Sequence, residues 1–338
     1  MAPGKRILLV SLGSIGRRHL RNIKTLMPGA ELCVWRHKPG PAPAEARGLQ
    51  VVHTAADALA FAPDAVLVSS PAAKHAAQCS PFAERGVPIF VEKPLETSVD
   101  KLAGLEAALQ RGQGLLFVGY VLRFQPIMAF LKDALASGCV GEIRTAQIST
   151  GQYLPDWRPG SDYRDGVSAR ADLGGGVLLE LSHELDYARW FFGHPRSVTA
   201  ETARLSGLEM DVEDHASIIL GYDQRQITVS VDFLQRVPCM TLKVVGSAGT
   251  LHADLIEETA VIATPDGQQD LTTPKMEAGN DMYLCQFDAF LDRAFDDYVP
   301  QYDASEAADF ARFEDARAVL ELVDAARQSS LSGKRVSL

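Results

Sequence analysis

Residues 6–21, RILLVSLGSIGRRHLR, leave little freedom in how the start of this chain can fold. Arg6 to Val10 is a short apolar run of the kind that makes a strand buried on both faces. Ser11-Leu12-Gly13-Ser14-Ile15-Gly16 follows at once, and His19, Leu20 and Ile23 then recur at helical spacing. Strand, glycine turn and helix in that order form the first half of a dinucleotide-binding unit. Gly13 lets the backbone approach a pyrophosphate, and Gly16 lets the helix lie close to the strand. The helix N-terminus adds N–H groups and a partial positive charge. Ser11, Gly13, Ser14, Ile15 and Gly16 are therefore the candidate phosphate-binding residues. Ser11 stands where a first glycine is usual, a turn that a small residue can also make. The plain alternative is a buried strand turning into a helix through small residues.

A second strand is expected over Glu31–Trp35, and its end is where such a unit meets the adenosine ribose. NAD would be held there by a carboxylate on its 2′-hydroxyl. The chain instead reads Trp35-Arg36-His37-Lys38, and Arg36 and Lys38 suit a 2′-phosphate, so NADP(H) is expected over NAD(H). Strand and helix patterns alternate to residue 120, which implies a doubly wound parallel sheet. Beyond it come a helix over 126–137, a strand over 143–151, a polar loop over 153–173 and one helix from Gly174-Gly175-Gly176 to Phe192. Six closely spaced strand-like runs between Val198 and Ala263 follow, then two closing helices, which reads as a mostly antiparallel open sheet in an α+β domain. The expected division is 1–122 for an NAD(P)-binding Rossmann domain and 123–338 for a substrate-binding and oligomerisation domain.

Two domains also suit 338 residues. A net charge of −10 argues against nonspecific binding to nucleic acid or an anionic membrane, and no apolar run is long enough for a bilayer. Five scattered cysteines with no CxxC pair give neither a disulfide framework nor metal spacing. With no leader pattern at the N-terminus, a cytoplasmic protein without a bound metal is expected.

Glu92-Lys93-Pro94 closes a further predicted strand, at the edge where open α/β sheets place their ligands. A lysine there can protonate the oxygen of a carbonyl that receives a hydride. Glu92 would orient it, and Pro94 would stiffen the turn, a cis bond being one way. On the helix after the glycines, Leu178, Leu181, Leu185, Ala188 and Phe192 make an apolar stripe, with Glu180, His183 and Tyr187 opposite and Asp186 beside them. His183 is a candidate acid or base, with Glu180 or Asp186 as its partner. A surface lysine and a solvated helix face are the bland readings of the two patterns.

Together these pieces resemble the Gfo/Idh/MocA family. The likeness is carried by GSIGRRH, Ser70-Pro71 with His75, Glu92-Lys93-Pro94, Gly119-Tyr120, Arg123-Phe124-Gln125-Pro126, GGGVLLELSHELD and VLELVDAARQSS. It implies a Rossmann domain, an α+β substrate domain and hydride transfer between NAD(P) and a sugar-like hydroxyl. Lys93 matches the family's catalytic lysine, and Ser70, Pro71, His75 and Glu92 are expected near the cofactor. The family carries Asp and His four residues apart after its glycines, whereas Glu180 and His183 are three apart. Likeness to members acting in surface-polysaccharide pathways suggests a sugar, cyclitol or nucleotide-sugar substrate. Arg123, Trp157, Arg158, Tyr163, Arg164, Asp186 and Tyr187 are then its expected contacts. The same residues would serve a cofactor-retaining lyase or glycosidase, and the same fold a non-catalytic NADP(H)-sensing regulator. His215, Ile218, Ile227, Val229 and Val231 are expected on an apolar sheet face that a second subunit covers, in a homodimer or homotetramer.

Overall fold

The computed structural model describes residues 4–37, 40, 43–277, 279–302 and 310–338. Its contacts divide the chain into two compact units, 1–124 with 278–317, and 125–277 with 318–338.

The first unit begins with β1 (Arg6–Val10), α1 (Ser14–Leu26), β2 (Glu31–Trp35), β3 (Gln50–Val52), α2 (Ala55–Ala60) and β4 (Ala65–Val68). α3 (His75–Ala83), β5 (Ile89–Val91), α4 (Ala103–Gly112) and β6 (Leu116–Val118) complete the alternation. All six strands are parallel, in the order β3-β2-β1-β4-β5-β6, so the chain reverses its direction of travel across the sheet between β1 and β4. Val10 lies level with Trp35 and Val68, Val68 with Val91, and Val91 with Val118. The C-terminal ends of five strands therefore finish on one line.

The second unit holds α5 (Pro126–Ala136), β7 (Ile143–Gly151), α6 (Val177–Glu180) and α7 (His183–Phe192). The strands β8 (Ser197–Ala203), β9 (His215–Gly221), β10 (Gln226–Asp232), β11 (Cys239–Gly246), β12 (Thr250–Asp254), β13 (Thr259–Thr264) and β14 (Gly267–Leu271) follow. Then α8 (Asp281–Ala294) returns to the first unit, α9 (Phe313–Ser332) begins there, and β15 (Val336–Ser337) ends the chain. The second sheet runs β14-β13-β12-β11-β7-β10-β9-β8-β15, antiparallel except for the β7–β10 pair. The expected open, mostly antiparallel sheet is present, and it is longer than the sequence pattern indicated. β14 is nearly all polar and β15 is two residues long, so neither carries a hydrophobic signature.

One expectation about this sheet is overturned. Ile218, Ile227, Val229 and Val231 are buried within their own unit, on the face covered by α6 and α7. Of the named residues, His215 alone shares the other face, with Ser217 and Ile219. That face is rich in serine and threonine because the strands alternate strictly, with apolar residues inward and polar ones outward.

The domain division also differs from the expected one, since residues 278–317 count with the first unit. The reason is aromatic packing. Phe287 and Phe290 of α8 stand edge-on to Phe90 at 5.6 and 5.7 Å, Phe290 does the same to Phe117 at 5.6 Å, and Phe310 stacks on Phe117 at 3.5 Å. These rings share one core with Leu9, Leu20, Ile23 and Leu67. Amphipathicity tells a helix to cover something without saying which sheet, so the sequence alone left α8 with its neighbours in the chain. Truncating the fully buried Phe290 to Ala should cost about 3–5 kcal/mol in denaturant unfolding of the first unit. A change below about 1 kcal/mol would remove α8 from that core.

Candidate active site

In the first unit the level strand ends bring the candidate residues onto one edge. Ser11 follows β1, Arg36 follows β2, Ser69-Ser70-Pro71 follow β4, Glu92-Lys93-Pro94 follow β5 and Gly119-Tyr120 follow β6. Ser11 turns with φ +74°, in the left-handed region where a glycine would be at ease, at a cost on the order of 1 kcal/mol for a residue with a Cβ. Gly16 has no room for a side chain, because a Cβ there would lie 2.5 Å from Ser69 Oγ and 2.9 Å from the Ser11 carbonyl oxygen. α1 is thus held against the strand ends. At Gly13, by contrast, a Cβ would meet nothing within 4 Å, so the helix N-terminus faces open space. No acidic residue stands in its first turn to repel an anion. Ser14 is exposed and Ile15 half-buried at the same end. An exposed glycine turn before a helix free of first-turn acids fits a dinucleotide pyrophosphate.

Arg36 is half-buried, and its guanidinium Nη1 donates to the Gly40 carbonyl at 3.2 Å. Lys38, the second expected cation, lies outside the described residues. His37 stacks on Trp35 at 5.0 Å and its Nε2 meets the Gln78 amide nitrogen. Burial and the neighbouring Lys74 charge lower its pKa below the ordinary imidazole value. Gln78 in turn accepts from the Ser70 hydroxyl.

Lys93 is half-buried at the end of β5 and its bond to Pro94 is cis. The Glu92 carboxylate sits beneath it. One oxygen is 2.6 Å from His19 Nε2 and the other accepts the Lys93 backbone N–H at 3.2 Å. A Cβ on Gly119 would press to 3.0 Å against the same carboxylate, so that glycine belongs to its seating. His75 is buried under the turn, with Nδ1 2.9 Å from the Pro94 carbonyl oxygen and Nε2 2.7 Å from that of Ser70. Burial lowers its pKa, against the pull of those two carbonyls and of Glu92 and Glu96. At 1% exposure His75 has almost no surface to offer a cofactor, against the expectation that it binds one directly. Arg123 is corrected as well. At 3% exposure, with its guanidinium 3.6 Å from the half-buried Asp315 carboxylate of the same unit, the Arg123 side chain has almost no surface to offer a substrate.

In the second unit the helix after the glycines is broken. α6 ends at Glu180, the next residue Leu181 leaves the helical region at φ −101° and ψ 35°, and α7 starts anew at His183. The break resets the angular phase, so the expected Glu180/His183/Tyr187 face does not exist. Tyr187 is 1% exposed and Asp186 is buried beside it, and neither offers a surface to a ligand. Burial first, and then the Glu184 charge, push the Tyr187 phenol well above its usual range. His183 and Glu180 remain half-buried, and Glu180 accepts from the Ser168 hydroxyl at 2.9 Å.

The long loop is ordered largely by the residues expected to meet substrate. Trp157 Nε1 donates to the Gln152 carbonyl at 3.1 Å and its ring stands edge-on to Phe233 at 5.1 Å. The Tyr163 hydroxyl accepts the Glu209 N–H at 2.9 Å. Arg164 grips Asp162 through three nitrogen-to-oxygen bonds and reaches Glu209 at 3.0 Å, and its hydrogen bonds hold the Asp162 carboxyl down at about 2. Arg158 is exposed, beside a small recess also lined by Leu154, Trp157, Tyr163 and Ser168. Among the described residues no cluster of His, Cys, Asp and Glu is arranged to hold a metal.

The buried pair of His19 and Glu92 was not foreseen, although its signal is in the sequence. His19 sits with Leu20 and Ile23 on the apolar side of α1, where a polar ring needs a partner.

Comparison with known proteins agrees with this layout. Residues 5–120 match the model of an oxidoreductase family with an NAD-binding Rossmann fold, and residues 128–252 match that of the GFO/IDH/MocA C-terminal domain. An inositol 2-dehydrogenase of Rhizobium meliloti (strain 1021) is 24% identical over 368 aligned residues, covering 98% of this chain and 99% of that protein. A Bacillus subtilis (strain 168) protein named scyllo-inositol 2-dehydrogenase (NAD(+)) is 28% identical over 210 residues, 60% of this chain and 56% of that one. The WlbA dehydrogenase from Bordetella pertussis, solved in complex with NADH and UDP-GlcNAcA, shares the fold, with a TM-score of 0.80 at 20% identity over 99% of both chains.

Proposed function

Because the chain belongs to the Gfo/Idh/MocA oxidoreductases, matched in both of its parts, we propose that it moves a hydride between NAD(P) and a secondary alcohol or ketone of a cyclitol or sugar. One observation carries the reading. The register sets the glycine turn after β1 and the lysine after β5 on the same edge of one parallel sheet, with only β4 between them, across the point where the strand order reverses. The bound nicotinamide supplies or accepts the hydride. Ser11, Gly13, Ser14, Ile15 and Gly16 hold its pyrophosphate, and Ser70 and Pro71 border it at the end of β4. Lys93 meets the substrate oxygen: it gives a proton as hydride reaches the carbonyl carbon and takes one back in the oxidative direction. His183, with Glu180 beside the Ser168 hydroxyl, is the group of the second unit proposed to bind the substrate hydroxyls. Arg158 and Trp157 are the loop residues proposed to reach it. The inositol dehydrogenase relatives support a cyclitol. All five cysteines are free thiols, which supports a reducing compartment such as the cytoplasm.

Lys93→Met keeps most of the side-chain volume and loses the charge. Turnover should fall on the order of a hundredfold or more with cofactor affinity retained. The measurement is product mass from a panel of inositols, sugars and nucleotide sugars incubated with NAD+ and NADP+. Wild-type turnover in the variant would end the assignment. Bond cleavage without net change of cofactor would shift it to a lyase or glycosidase, and tight cofactor binding with no product on any compound to a regulator.

For the cofactor, Arg36 at the end of a strand with no following carboxylate supports NADP(H), while the relative named for NAD(+) supports NAD(H). The proposal that rests on Arg36 is tested by titrating both cofactors. Arg36→Ala should weaken NADP(H) by about 1.5–3 kcal/mol and leave NAD(H) nearly unchanged. Equal losses for the two would overturn it.

The partner proposal is a second copy of this chain on the outer face of the second sheet. Its support is that Gln147 of β7 and Ser217 and Ile219 of β9 lie exposed there, Ile219 at 38%. Light scattering should give at least a dimer mass, and a monomer mass independent of concentration would refute it.

A further inference from the structure

Two histidines of the first unit are fully buried, and neither has a part in the reaction described above. His19 on α1 is 0% exposed, and His75 on α3 is 1% exposed. An apolar side chain would fill either place without the cost of burying ring nitrogens, so the directional bond each makes needs an explanation. Both bonds lead to the same three residues. His19 Nδ1 has no hydrogen-bond partner among the described residues, while Nε2 lies 2.6 Å from a Glu92 oxygen, so the ring's hydrogen is placed on Nε2 and given to Glu92. The other Glu92 oxygen holds the backbone N–H of Lys93. On the far side of Lys93, the Pro94 carbonyl faces His75 Nδ1 at 2.9 Å. The main chain is therefore fastened just before and just after the lysine, by side chains from two different helices.

We propose that His19 and His75 are positioning residues, a clamp on the Glu92–Lys93–Pro94 turn that fixes the direction in which Lys93 leaves β5. The catalytic meaning of the clamp rests on the reading of Lys93 given above. It also ties the lysine to both ends of the cofactor site. His19 belongs to the helix whose N-terminus holds the pyrophosphate. His75 Nε2 reaches the Ser70 carbonyl, the Ser70 hydroxyl reaches Gln78, and Gln78 reaches His37 beside Arg36 at the ribose end. Glu92 and Glu96 are the charged groups acting on His75, and Cys79 lies one turn further along its own helix. Both ring nitrogens of His75 face carbonyl oxygens, Ser70 at 2.7 Å and Pro94 at 2.9 Å, and a neutral ring has one N–H for the two; the proposal places that N–H on Nδ1, toward Pro94.

The test separates the two nitrogens. An asparagine amide occupies the place of Nδ1 and a glutamine amide that of Nε2, so His75→Asn keeps the Pro94 bond and His75→Gln keeps only the Ser70 contact. His19→Gln keeps the donor to Glu92 and His19→Leu removes it. The whole protein with NADH bound is treated with acetic anhydride, and the acylation rate of Lys93 is read by peptide mass relative to the exposed Lys334. His75→Gln and His19→Leu should raise that ratio at least threefold, and the conservative variants should recover at least half of the change. On the compound identified in the panel, kcat should fall at least tenfold in His75→Gln with substrate KM within threefold, and His75→Asn should restore part of it. Unchanged labelling in both disruptive variants, or equal effects of Asn and Gln at position 75, overturns the clamp. Altered labelling together with wild-type turnover in Lys93→Met upholds the clamp and overturns the catalytic reading of Lys93 instead. Should His19→Leu fail to fold, the pair of variants at position 75 decides alone.

Discussion

The alignment of strand ends in the parallel sheet is the constraint on which the rest of this chain depends. Parallel hydrogen bonding sets Val10, Trp35, Val68, Val91 and Val118 level. A slip of one residue would turn each strand's side chains to the opposite layer of the core. The buried runs Leu8–Val10, Val66–Val68 and Ile89–Val91 make such a slip costly. Fixed in this way, five consecutive turns present Ser11, Arg36, Ser70, Lys93 and Tyr120 to one edge without any of them having to attract another. The chemistry is assembled by hydrophobic packing that lies behind it.

Polar groups close to that edge are buried at a cost and then bonded. Glu92 shows the pattern. Its two oxygens serve a helix on one side and the main chain on the other, while Gly119 leaves it space. Removing one partner would strand a buried carboxylate, and replacing it with an apolar residue would release the turn. The second unit spends its polar groups differently. Around the loop after β7, the Arg164–Asp162 fork and the Tyr163 contact to Glu209 order an exposed segment. Paired in the open, such groups shape the loop through geometry and add little to stability.

The sequence was legible where local pattern and tertiary role coincide. Residues 6–21 read as strand, turn and helix because a buried strand, a tight turn and a close-packed helix each demand particular residue types there. The line of strands from β1 to β6 and most of the second sheet followed from alternation. Legibility failed where one local change alters everything after it. Leu181 unwinds a helix whose residues on either side still fit a 3.6-residue period, so Tyr187 was assigned to the wrong side. It failed again where pairing crosses the chain. Nothing near Arg123 announces Asp315, nothing near His19 announces Glu92, and nothing in the amphipathic pattern of α8 names Phe90 as its neighbour. The apolar set of β9 and β10 was recognised as a face, but period two does not say which face meets the helices.

The return of α8 to the first unit also sets an order of events. Phe90 and Phe117 are made early, and the rings that cover them, Phe287, Phe290 and Phe310, come only after strands β7 to β14 of the second sheet have been synthesised. At roughly 5–20 residues per second, a ribosome needs on the order of ten seconds or more to cross that interval. For that time the nascent sheet carries an uncovered aromatic layer, while the inserted unit can already close on itself except for its last helix and strand. The stretch of chain made first thus waits for a covering made much later, and a chaperone that shields Phe90 and Phe117 during that wait would act on the first unit while the second is still being made.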